Sequence, residues 1–131
     1  MSVVVQLLRN ARALIADPEH WTKGAYARTA EGSVAYTQPT VVYTRLEEKD
    51  DFEEERIPCK WCALGAVYAS TYWPNFILEH AEKAKRFLNT ASDEQRGVIA
   101  YNDDPRTTHA GVLAMYDRAI VLAERDELVG V

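Results

Sequence analysis

The chain has 131 residues, 47% of them hydrophobic and 27% charged, the proportions of one ordinary globular domain and not of a disordered chain. Its net charge of −5 disfavours a partner held by non-specific phosphate contacts, although a local basic pocket stays compatible with it. No apolar run approaches the roughly 20 residues of a membrane span, and no basic amphipathic helix marks a membrane surface.

Residues 1–15 lack a leading positive charge, and Arg9 and Arg12 interrupt their apolar residues, so they do not read as a signal peptide. Val4, Leu7, Leu8, Ala11, Leu14 and Ile15 form one apolar stripe, which predicts a first helix with Ser2 as its N-cap. Pro18 stops it near Asp17. Asp17 and Pro18 then suit the start of a short helical turn anchored by Trp21.

From Gly24 the period changes. Residues 26–29 and 34–37 flank Ala30-Glu31-Gly32, which predicts a hairpin with glycine at the positive-φ position. Residues 40–44 are a third candidate strand. Residues 45–56 are a charge run and read as an acidic, solvated loop.

Residues 61–73 carry no charge and are apolar almost all round, which predicts a central buried helix. Gly65 within it implies close approach of a neighbouring backbone. After Pro74, Ile77, Ala81, Ala84 and Leu88 mark another helix. Val98, Ile99, Ala100 and Tyr101 read as a short strand, and Asn102-Asp103-Asp104-Pro105 as a turn. Val112, Leu113, Tyr116, Ala119, Ile120 and Ala123 mark a last helix over about 108–125. The expected fold is α+β, mostly α: about four helices around the central apolar helix (61–73), with a small β hairpin or sheet (25–44, 98–101). The expected organisation is a single domain over 1–131.

Three constellations bear on chemistry. Cys59 and Cys62 have the spacing of a redox or zinc pair, yet no βαβ pattern surrounds them, and His20, His80 and His109 stand at no recognised ligand spacing. Cys62 near a helix start, with His109 as base and Asn102 or Asp103 as orienting group, supplies the parts of a thiol hydrolase. The opposing reading makes Cys62 a small buried hydrophobe, with a thiol far less reactive than that of Cys59. Finally, the polar segment from Asn102 to His109 reads as a turn and helix cap, or as the rim of a pocket. Trp21, Trp61 and Tyr101 would wall that pocket, with Asn102 and Asp103 on its rim and Arg106 holding an anion.

Three motifs stand in order: Leu14-Ile15-Ala16-Asp17-Pro18-Glu19-His20-Trp21-Thr22-Lys23-Gly24-Ala25-Tyr26-Ala27; Trp61-Cys62-Ala63-Leu64-Gly65-Ala66; and Tyr101-Asn102-Asp103 followed by Arg106-Thr107, Val112-Leu113 and Asp117-Arg118-Ala119-Ile120. Together they resemble an uncharacterised family of small bacterial and phage proteins, a domain of unknown function. The resemblance implies a compact single domain and transfers no activity. That pattern usually has Trp at Tyr101 and Glu at Gly111, where the Glu would complete a capping box with Thr108. The expected function is therefore that of a cytoplasmic accessory protein that binds a protein or a small anionic ligand. No cofactor, nucleic-acid partner or membrane is expected. The thiol hydrolase and a domain stabilised by metal at Cys59 and Cys62 are the alternatives.

Overall fold

The computed structural model describes residues 2–36, 58–71 and 78–129. Helix α1 (Val3–Leu14) begins where Ser2 Oγ accepts the Val5 N–H at 3.1 Å, as the N-cap reading expects. Val4, Val5, Leu7, Leu8 and Ala11 face inward. A 3-10 turn (Pro18–His20) follows, capped by Asp17, whose carboxylate accepts the Glu19 N–H.

Strands β1 (Ala27–Arg28), β2 (Val34–Tyr36) and β3 (Lys60–Trp61) form a three-stranded antiparallel sheet in the order β2-β1-β3. Ala27 pairs with Tyr36 and with Trp61. Gly32 sits at φ +91°, the conformation the hairpin turn needs. The candidate strand at 40–44 and the acidic run at 45–56 lie outside the described residues.

Helix α2 (Ala63–Thr71) starts two residues later than the sequence implies, because Lys60 and Trp61 are drawn into the sheet as β3. Residues 63–68 and Thr71 are all buried. Packed against α1, α3 (Leu78–Ala91) and α4 (Val98–Asp103), α2 is the central helix the sequence predicts. Gly65 explains how close this packing is. A Cβ placed there would lie 1.9 Å from the Tyr26 carbonyl oxygen, so the loop before β1 rests directly on the helix backbone.

Residues 98–101 are not a strand. They open α4, with Val98 and Asn102 buried one helical turn apart. Val and Ile favour strands locally, but the Asn89 side chain at the end of α3 accepts the Val98 N–H at 2.8 Å and caps the new helix. That cap is a contact nine residues back along the chain. Helix α5 (His109–Val129) packs on α3 and α1, with Val112, Met115, Tyr116, Ala119, Ile120 and Ala123 inside. Thr108 Oγ1 accepts the Gly111 N–H at 3.1 Å, so the helix is capped without a capping-box glutamate. Among the described residues no helix is long and apolar enough to cross a membrane.

Candidate functional site

The three sequence motifs meet at one side chain. Asn102, 1% exposed, accepts the indole N–H of Trp21 at 2.7 Å and the backbone N–H of Ala63 at 3.0 Å on the same oxygen. Its amide donates to the Thr22 carbonyl at 3.1 Å and to Asp103 Oδ1 at 3.0 Å. All four of its hydrogen-bonding positions are thus used. The Ala63 N–H is one of the donors that a helix start leaves without a partner in its own helix, so Asn102 caps α2 from another element. Trp21 and Trp61 bridge beside it, with the Thr22 N–H donating to the Trp61 carbonyl.

Lys23 fixes the same loop from the other side. Its ammonium donates to the carbonyls of Asp104 and Thr107 at 2.6 and 2.8 Å and lies 5.4 Å from the Trp21 ring. Asp104 is buried and receives Arg96, together with the guanidinium and the backbone N–H of Arg106. Those bonds, the side chain of Arg106 first, hold its carboxyl well below the usual carboxylate range.

Next to this closed region lies a hollow of about 310 Å3. It is lined by Gly24, Ala25 and Tyr26 of the loop, Val34 of β2, Cys62, and Ile99 and Asp103 of α4. The volume is at the lower end of the roughly 300–1,000 Å3 of small-molecule sites. Val34 and Ile99 are 41% and 43% exposed, so two large apolar side chains stand at one hollow. The Asp103 carboxylate is held at Oδ1 by the Gly24 N–H at 2.9 Å and the Asn102 amide. Among the described residues Oδ2 takes no hydrogen bond.

Cys62 is 5% exposed. Its sulfur accepts the Gly65 N–H at 3.2 Å, which favours the thiolate, but burial outweighs this and pushes the thiol up to about 11, with the Asp103 charge adding to the rise. At neutral pH the protonated thiol is therefore the favoured form. His109 is engaged elsewhere: its Nε2 lies 2.7 Å from the Ile15 carbonyl oxygen, and its ring packs 5.7 Å from Trp21. Among the described residues no group of three or more His, Cys, Asp or Glu is placed to hold a metal ion.

The structure therefore divides the residues singled out in the sequence. Trp21, Trp61, Asn102 and Asp103 come together, and all but Asp103 serve to build the site rather than line it. Tyr101 points to the opposite side, where its hydroxyl would lie 2.6 Å from a Cβ on Gly111. Arg106 is bound to Asp104. Sequence reasoning missed Gly24, Ala25, Tyr26, Val34 and Ile99. Gly24, Ala25 and Tyr26 lie in the first motif but carry no chemistry that singles them out, and no motif marks Val34 or Ile99, whose context is strand-like. No curated protein and no solved structure matches the chain. A family model matches residues 1–122, nearly the whole chain, and by that match the protein belongs to DUF6197, a family of unknown function.

Proposed function

We propose that the chain is a non-enzymatic binding protein that receives a small ligand in the hollow between the 24–26 loop, β2 and α4. In this reading it is an accessory protein of a bacterial or phage-infected cytoplasm. The observation that carries the reading is the convergence of exposed Val34 and Ile99 on one concave space with an anchored carboxylate. Ligand sites combine such apolar walls with a few fixed polar groups. A protonated thiol and a histidine committed to the Ile15 carbonyl support binding over thiol chemistry. An anionic ligand at Arg106 has less support, because the hollow beside it sets Asp93, Glu94 and Asp104 against Arg96 and Arg106.

Indole, a neutral apolar probe, tests the reading by NMR titration of the full chain. Saturable shifts are expected at the amides of Gly24, Ala25, Tyr26, Cys62 and Asp103. Shifts confined to another surface, or no saturation, would contradict the assignment.

A further inference from the structure

The ligand class follows from how Asp103 is held, and this inference rests on the reading of the hollow as a binding site. We infer that the hollow takes an organic ammonium with an apolar body, its N–H donated to Asp103 Oδ2. Oδ1 already accepts two N–H donors, from Gly24 and Asn102. The carboxylate is thus oriented before any ligand arrives, and Asn102 in turn is locked by Trp21, Ala63 and Thr22.

Covering Oδ2 without giving it a donor would leave a charged group desolvated and unpaired. An anion cannot supply that donor and would face like charge. A neutral amide can supply one but gives only a neutral hydrogen bond, about half as strong as a charge-assisted one. A guanidinium is suited to both oxygens of a carboxylate at once, and one of these is occupied. An ammonium, a point charge with several rotatable donors, needs only the remaining oxygen. Among the described residues no cationic side chain lines the hollow to compete for it. Arg28, whose guanidinium approaches Gly24, is tied to the carbonyls of Lys23 and Gly32. Ala25, Val34 and Ile99 would cover the apolar body, and the neutral thiol of Cys62 is a soft surface beside it.

The test compares four probes on one ring system by NMR titration of the full chain: phenethylamine, its N-acetyl derivative, phenethylguanidine and 3-phenylpropionate. Phenethylamine is expected to saturate the Gly24, Ala25, Cys62 and Asp103 amides, with an affinity at least about tenfold above the other three, a difference of one charge-assisted hydrogen bond. Asp103→Asn keeps the Oδ1 acceptor for Gly24 and should remove that preference while leaving the spectrum outside the hollow unchanged. Ile99→Lys is the second variant: at this exposed position its ammonium would occupy Asp103 from within and weaken phenethylamine by a similar factor. Acetylated or anionic probes binding there as well as the amine would overturn the ammonium assignment and leave the binding site standing. A guanidine that binds tighter would overturn the single-oxygen argument. No saturable binding by any of the four would overturn both readings.

Discussion

Asp103 and Asp104 leave the same end of α4 and meet different surroundings. Asp104 turns inward, where Arg96 and Arg106 saturate its carboxylate and Lys23 takes its carbonyl. Its charge is matched from within the protein, so it closes the loop that leads into α5. Asp103 is exposed and borders the hollow, with one oxygen anchored by Gly24 and Asn102 and the other without a hydrogen bond among the described residues. Two residues of identical chemistry thus meet different surroundings: one carboxylate is saturated by arginines, and the other borders the hollow proposed to bind a ligand. The difference lies in the cations around each: among the described residues two arginines reach Asp104, while Arg28, beside Gly24, is held by backbone carbonyls instead.

The largest effect that sharpens this comparison should come from Asn102, which stands behind Asp103. Asn102→Ala removes the partner of Trp21 Nε1, the Ala63 N–H and the Thr22 carbonyl together. At about 1–3 kcal/mol for each buried group left unpaired, the loss should exceed about 3 kcal/mol in a urea titration. A loss below about 1 kcal/mol would mean that water replaces the amide freely and that Asp103 is not held in place.

Much of this architecture is legible in the sequence, and the failures have physical causes. The stripe of Val4, Leu7, Leu8 and Ala11, the charge-free central helix and the Asp17-Pro18 turn each carry their own local signal. The close approach at Gly65 was also readable, because glycine in a buried helix has few other uses. The misreading of residues 98–101 as a strand came from a cap donated by Asn89, and that of Trp61 as helical from pairing with Ala27. Both are tertiary contacts that override local propensity. Asn102 and Asp103 were visible as a polar segment, but their roles depend on Trp21 and Gly24, some 80 residues away.

A smaller effect separates two helical glycines on either side of the site. Gly65→Ala drives a methyl into the Tyr26 carbonyl and should destabilise by about 1–3 kcal/mol, reversing the roughly 1 kcal/mol that alanine normally gains in a helix. Gly111→Ala meets the hydroxyl end of the Tyr101 side chain, which can swing away, and touches Thr108 Oγ1 at 3.4 Å, and should change stability by less than about 1 kcal/mol. Equal effects in thermal or urea unfolding would show that the loop over Gly65 yields as easily as Tyr101 does.

The smallest effect concerns Asp104 and acid. Its carboxyl is held below the ordinary value of 3.8, so it contributes stability above that value, lost as pH falls toward the folded-state ionisation. Asp104→Asn should flatten the acid limb of the stability profile below about pH 4 and leave the profile above it parallel to that of the parent. An unchanged acid limb would mean the arginines do not hold this carboxylate in solution.

The claim that the hollow binds a ligand and does no thiol chemistry turns on Cys62. Alkylation of that thiol in folded protein, followed by mass spectrometry across pH, tests it most directly. Burial pushes the thiol up to about 11, so the rate should be slow at neutral pH and still climb about tenfold per pH unit near pH 9. A rate that is already fast and level below about pH 8 would reveal a thiolate nucleophile, and the hollow would have to be read as an active site.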